Sequence, residues 1–233
     1  MSPKVSVLMP VYNQDSFVGH AITDIMSQTM EDLELIIIDD ASHDESLDIA
    51  YSYSKLDKRI KVSSNEYNVG SIHNYNLAAK KATGDYIFIG AADDRYPADA
   101  LENLLSVDAD VVYGAFRQIS VLGNLGECYY DLDNMEFDFE LFKTDCYLTS
   151  GAMLVKRSVF EEEEGYDETF AIAADWDLSL RLCAGRDVKI VPKIVMHYRM
   201  EHINSNRMRL SEAVREDERE RIRNHSCYDP DWK

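Results

Sequence analysis

Leu33 to Ile38 is a run of leucine and isoleucine broken only by Glu34. A strand that is apolar on both faces must be covered on both faces, which points to a parallel sheet buried between helices. The segments around it agree. Val5-Ser-Val-Leu-Met-Pro-Val11 is short, β-branched and apolar, and Ser16 to Gln28 has apolar residues at helical spacing. Glu45 to Leu56 reads as helix, Ile60 to Ser63 as strand and Ser71 to Ala82 as helix ending at Gly84, a favoured C-cap. Tyr86 to Ile89 is a strand, and Pro97 opens a helix through Leu105, the early position proline favours. This alternation predicts an α/β fold: a central, mostly parallel sheet with helices on both faces and right-handed crossovers.

Ligands of such sheets bind at the carboxyl ends of the strands. Three polar clusters fall there: Pro10 to Asn13, Asp39-Asp40 and Asp93-Asp94. They lie far apart in the chain and converge in such a fold, which is the main functional signal.

The second half is less regular. Asp110 to Leu122 has β-like runs, and Asn124 to Phe139 is polar, aromatic and loop-like. Ser150 to Val155 reads as a strand, Ser158 to Glu164 as a short acidic helix and Asp175 to Cys183 as an amphipathic helix. Val188 to Val191 and Ile194 to Tyr198 read as two strands, and Arg207 to Arg223 as a charge-mixed helix, read first as solvated. No linker divides the chain, which favours one continuous domain.

Composition excludes several classes. With 24 Lys+Arg against 43 Asp+Glu the net charge is −19, and without a basic stripe the chain is a poor partner for nucleic acid. No apolar run approaches the ~20 residues of a membrane span, and the N-terminus has no signal-peptide core. Cys128, Cys146, Cys183 and Cys227 form no CxxC and read as reduced, structural thiols of a cytoplasmic protein, with peripheral membrane attachment left open. A chain this acidic needs local neutralisation to hold a polyanion such as a nucleoside diphosphate, and a metal ion is the obvious means.

Individual residues carry more than one reading. Adjacent carboxylates at Asp93-Asp94 suit a hard divalent cation that keeps waters and a phosphate partner, or are simply a solvated acidic loop. Asp39-Asp40 can accept from a base N–H or a ribose hydroxyl, or form a turn. Tyr12 can stack on a nucleobase, or sit at the core rim. Asp175 and Asp177 suit the positive end of a helix, and either could serve as a general base facing a cleft. His197 and His202 are candidate metal or phosphate contacts, or structural histidines.

Taken together, these pieces resemble the family-2 glycosyltransferases, inverting enzymes of the GT-A fold. The stretch VSVLMPVYNQDSFVGHAITDIMSQTMEDLELIIIDDASHDES is similar to that family's nucleotide-binding half, and NVGSIHNYNLAAKKATGDYIFIGAADD to the approach to its DXD-type motif. TSGAMLVKRSVF, GYDE and ADWDLSLRL resemble its acceptor region and catalytic-base helix. The resemblance runs from Val5 to about Arg199. It implies a single GT-A domain over residues 1–206, with a nucleotide-binding half (1–105), an acceptor half (106–206) carrying a smaller mixed or antiparallel sheet, and a charged helix and tail (207–233).

The resemblance also implies roles. Pro10, Tyr12, Asn13, Asp40 and Asn76 would lie on the nucleotide, Asp39 would shape its turn and Asp93 would contact the ribose. Asp94 would bind a Mn²⁺ or Mg²⁺ bridging the diphosphate, joined by His197 or His202. Asp175 would be the catalytic base; Ser150, Gly151 and Trp176 would line the acceptor side. The donor implied is a nucleotide sugar, with UDP favoured over dTDP and GDP. The acceptor would be a carbohydrate or glycolipid in polysaccharide or glycoconjugate synthesis, and the C-terminal helix could mediate self-association.

Four positions depart from the family's commonest pattern: Ala91, Ala174, Tyr75 before Asn76, and His202 one place late. The first two support the alternative, a non-catalytic relative that binds a nucleotide sugar or a partner. A nucleotidyltransferase or a dinucleotide oxidoreductase fits less well, because the loop Tyr12 to Ser16 has no Gly, Lys or Arg.

Overall fold

The computed structural model describes residues 3–128, 136–171, 173–200 and 212–223. Among the described residues, eight strands form one mixed sheet. β1 (Val5–Val11), β2 (Leu33–Asp39), β3 (Ile60–Ser64) and β4 (Tyr86–Ile89) are parallel, in spatial order β3-β2-β1-β4. The sheet continues through β7 (Met153–Lys156), antiparallel to β4, then β5 (Val111–Ile119) and β6 (Leu125–Cys128). β8 (Val188–Arg199) runs parallel to β5. The mixed acceptor-side strands are thus continuous with the parallel ones.

Alternation along the strands builds two cores. Val5, Val7, Met9, Leu35 and Ile37 face one side and pack under α1 (Asp15–Met26) and α4 (Ala100–Leu104). Leu8, Ile36 and Ile38 face the other. There they meet α3 (Ser71–Ala79) and, further along the sheet, α5 (Phe139–Thr144), α6 (Arg157–Glu162) and α7 (Ala174–Cys183). α2 (Ser46–Ser54) completes the crossover from β2 to β3.

Glu34, the one break in the apolar run, is buried with a full set of partners. It accepts from the Ser6 hydroxyl at 2.6 Å, from the Thr83 amide at 2.7 Å and hydroxyl at 2.8 Å, and from Lys61. Burial alone would raise its pKa, but these donors outweigh it and hold the carboxyl below its ordinary value.

Two expectations change. The stretches read as two strands around Pro192 are one strand with a bulge: Gly114 pairs with Val191 and Ala115 with Ile194, so Pro192 and Lys193 drop out of the ladder. The charged C-terminal helix, α8 (Glu212–Arg223), is not merely solvated, because Glu218 and Ile222 are buried. No helix among the described residues is long and apolar enough to cross a membrane.

Candidate active site

A cavity of about 840 Å³ opens at the carboxyl ends of β1, β2 and β4 and extends toward the start of α7. That is the size of a small-molecule site. Its lining brings together Pro10, Tyr12, Asp40, Asp93, Asp94, Ser150, Gly151, Asp175 and Trp176. These nine expected residues come from loops up to 166 positions apart (Pro10 to Trp176), so the convergence is a product of the fold.

Asp40 is buried, and its carboxylate organises the loop after β3. Oδ1 accepts from the Val69 amide and the Asn65 side chain, both at 2.9 Å, and Oδ2 from the Gly70 amide at 2.8 Å. Gly70 takes φ +95°, a conformation that side-chain-bearing residues rarely adopt. Burial works against the charged form of Asp40, yet these donors and Asn74 hold its pKa below the usual carboxylate value. Asp39 stands outside the cavity lining and shapes the turn, accepting from the Ser42 amide at 3.1 Å. Asn13 is also outside that lining: its Oδ1 accepts from the His43 amide at 2.8 Å and ties the loop after β1 to the loop after β2.

Asp93 is half-buried, and Asp94 is 3% exposed although it lines the cavity. The Arg199 amide donates to Asp94 Oδ1 at 2.8 Å. Burial first, and the neighbouring Asp93 second, push the Asp94 pKa well above the ordinary value, which is the electrostatic setting in which a cation is stabilising. Arg199 holds the loop from the other end of the chain: Nε donates to the Asp93 carbonyl at 2.6 Å, and Nη1 to the carbonyls of Ser120 and Val121. Arg95 and His197 exchange backbone hydrogen bonds of 3.1 and 2.7 Å beside it. Among the described residues no group of three or more His, Cys, Asp or Glu could cage a metal. Two carboxylates fit a Mg²⁺- or Mn²⁺-type ion only when substrate oxygens and water complete its shell, the usual arrangement for ions bound with phosphates.

On the opposite wall, Asp175 opens α7 and lines the cavity half-buried, with Oδ1 accepting from the Trp176 amide at 2.9 Å. Asp177 points elsewhere. It is buried in an ion pair with Arg181 at 2.6 Å, and of the two aspartates it is Asp175 that lines the cavity. Trp176 donates Nε1–H to the Phe142 carbonyl at 2.9 Å, which fixes its ring at the cavity wall. A Cβ at Gly151 would come within 2.7 Å of the Met196 sulfur, so the flexible end of that side chain would have to shift.

Besides Asp39 and Asn13, two more expected site residues fall outside the lining. Asn76 donates to the Tyr166 carbonyl at 2.9 Å and to Glu168 at 3.0 Å, and accepts from the Tyr166 amide. It pins α3 to the 165–168 turn and is absent from the cavity wall. His197 also lies outside the lining, while its strand neighbours Met196 and Tyr198 are within it, as alternation along a strand requires. Burial lowers its pKa, and the charged groups that act on it are Arg117, Asp24 and Arg95. His202 lies outside the described residues.

Sequence reasoning missed Tyr75, Tyr166, Arg199 and Arg219. Tyr75 donates to the Gly90 carbonyl at 2.9 Å and stacks on Tyr166, with ring centroids 5.3 Å apart, which links the end of β4 to the wall near Asp175. Arg219, from α8, is the one cationic side chain lining the cavity among the described residues.

A family model described as glycosyl transferase family 2 matches residues 6–163. Glycosyltransferase GlyG of Streptococcus pneumoniae is 30% identical over 181 residues, covering 70% of this chain and 60% of that protein. The chain spans only 38–60% of the length of the first three curated relatives it matches. Among solved structures, Staphylococcus aureus TarS 1–349 in complex with UDP-GlcNAc superposes with a TM-score of 0.78, covering 94% of this chain and 65% of that one at 18% identity. The mannosyltransferase PcManGT of Pyrobaculum calidifontis, in complex with GDP-Man and Mn²⁺, gives 0.64, covering 88% and 59% at 18% identity. At that identity the two structures establish the fold, and the family match establishes the rest: the chain belongs to glycosyl transferase family 2.

Proposed function

We propose that this cavity binds a nucleoside-diphosphate sugar, with UDP as the favoured nucleotide, and transfers the sugar with inversion to an acceptor hydroxyl in polysaccharide or glycoconjugate synthesis. The observation that carries the reading is the meeting of Tyr12, Asp40, Asp93 and Asp94 on one wall with Asp175 on the other. Tyr12 offers a ring for the base. Asp40 lines the same wall as a charged carboxylate, the acceptor for a base N–H. Asp93, in the same lining, would accept from the ribose. Asp94, with Asp93, would hold a Mn²⁺ or Mg²⁺, which when bound neutralises charge on the departing diphosphate.

Asp175 accepts the proton of the acceptor hydroxyl as its oxygen attacks the anomeric carbon. The bond from that carbon to the diphosphate oxygen breaks and its electron pair leaves with the nucleotide. The transition state is oxocarbenium-like, and a single in-line displacement inverts the anomeric centre. No acid is required, because a nucleoside diphosphate is already a good leaving group. Trp176 and the Ser150-Gly151 turn shape the acceptor side.

Calorimetric titration of UDP, dTDP, GDP and their sugars, with Mn²⁺ and with EDTA, tests the reading. Expected is metal-dependent binding of one base, UDP first. A preference for GDP would correct the nucleotide, and absence of binding to every nucleotide by folded protein would overturn the donor site in favour of a non-catalytic relative.

A further inference from the structure

The helix that carries Asp175 starts without a cap of its own. Its N-cap residue is Ala173, whose side chain has no acceptor, and the sequence there is Ala173-Ala174-Asp175. The amides at a helix start need partners other than helix carbonyls. Here the Trp176 amide donates to Asp175, and the amides of the cap residue Ala173 and of Ala171 before it donate to α8. Glu218 is 4% exposed; Oε1 accepts from the Ala171 amide at 2.7 Å and Oε2 from the Ala173 amide at 2.8 Å. Its negative charge also sits at the positive end of α7. Two further contacts hold the same segment. Arg221 lies 4.2 Å over the Phe170 ring and donates to the Thr169 hydroxyl at 3.1 Å, and Ile222 is buried in the core beneath α7. Residues 218, 221 and 222 share one face of a helix by their spacing. That face is therefore spent on this chain's own active-site turn.

We propose that Glu218 is a positioning residue: through the backbone of residues 171 and 173 it sets the start of α7 and so the direction of the Asp175 carboxylate. The proposal rests on the reading of Asp175 as the base. It makes α8 a working wall of the active centre, a role supported independently by Arg219, the next residue, which lines the same cavity. A dislodged turn would move Asp175 by a fraction of a turn without touching the loops after β1, β2 and β4, so donor binding and base catalysis would separate.

The test uses the full chain with Glu218→Ala and Glu218→Gln. Hydrogen exchange is read amide by amide, UDP affinity is measured with Mn²⁺, and UDP release from UDP-GlcNAc is timed. In Glu218→Ala the amides of residues 171 and 173 exchange at least about tenfold faster, while those of β1 to β4 are unchanged. UDP affinity and donor KM stay within about twofold, and kcat falls about 10–100-fold, the scale of a small misplacement. Glu218→Gln, which keeps one acceptor oxygen, falls between. Combined with Asp175→Asn, Glu218→Ala adds no further loss, because both act on one group. Unchanged exchange at 171 and 173, or faster exchange with kcat intact, overturns the proposal; so does a multiplicative loss in the double variant. If Glu218→Ala fails to fold, the same readings on Glu218→Gln decide. If the wild type binds no UDP, the donor reading fails on that arm alone, and the exchange arm still decides the clamp.

Discussion

The two walls of the cavity are built by different means. On the proposed donor wall, Tyr12, Asp40 and Asp93-Asp94 each follow a buried parallel strand whose register brings them together, with Arg199 of β8 fastening the last of these loops. On the acceptor wall, Asp175 depends on contacts that jump across the chain: Glu218 to the Ala173 amide spans 45 positions, and Asn76 to the Tyr166 amide spans 90. A strand-end loop in a parallel sheet is placed by the sheet. A helix start at the edge of the fold has to be tied. The donor wall should therefore tolerate changes on the acceptor wall, while the acceptor wall should be sensitive to single distant side chains.

The largest expected effect tests that separation directly. Asp175→Asn should lower the rate of sugar transfer by about 10²–10⁴-fold, the usual worth of a positioned general base. UDP binding measured by calorimetry should stay within about twofold, because Asp175 lines the cavity from the start of α7 and not from a strand-end loop. Equal loss of transfer and of UDP affinity would mean that the walls are one unit and that Asp175 is not the base.

A change on the donor wall should do the reverse. Asp40→Ala removes the buried carboxylate that accepts from the Val69 and Gly70 amides and from Asn65, and so loosens the loop after β3. A cost of about 1–3 kcal/mol in urea unfolding follows from the lost hydrogen bonds to a charged acceptor, together with weakened UDP binding. Exchange protection at residues 171–177 should not change. If it does, the loop after β3 reaches the acceptor wall and the comparison fails.

This division also explains what could be read from the sequence. The donor wall was legible because each of its residues follows an apolar run of strand length, and strand ends in a parallel sheet converge whatever the loops contain. Asp175 was legible by family resemblance; what holds it was not. A glutamate in a run such as Arg215 to Arg221 looks solvated, and nothing local reveals that Glu218 has two backbone amides to accept from. Arg199 is hidden in the same way, 105 positions from Asp94. Asn76 and His197 differ for another reason: the resemblance suggested Asn76, and residue type and the resemblance suggested His197, but the face of α3 and of β8 on which they stand turns them away from the cavity. Pro192 suggested a break between two strands because a bulge and a strand end share the same signal.

The smallest expected effect lies beneath the donor wall, in the sheet that places it. Glu34 joins β2 to Ser6 of β1, to Thr83 and to Lys61, and these donors outweigh burial to hold its carboxyl below the ordinary value. Because the unfolded chain then takes up a proton at higher pH than the folded one, the stability Glu34 contributes is complete above its unfolded pKa of about 4.5 and is lost as pH falls through its lower folded value. Glu34→Gln should therefore cost about 1–3 kcal/mol near neutrality, a figure tempered by the half-exposed Lys61, and the gap to wild type should close at lower pH. Urea midpoints at a series of values from pH 7 down to pH 3 check this. A gap that stays constant through that range would mean that Glu34 is not held as an anion and that the donor wall rests on apolar packing alone.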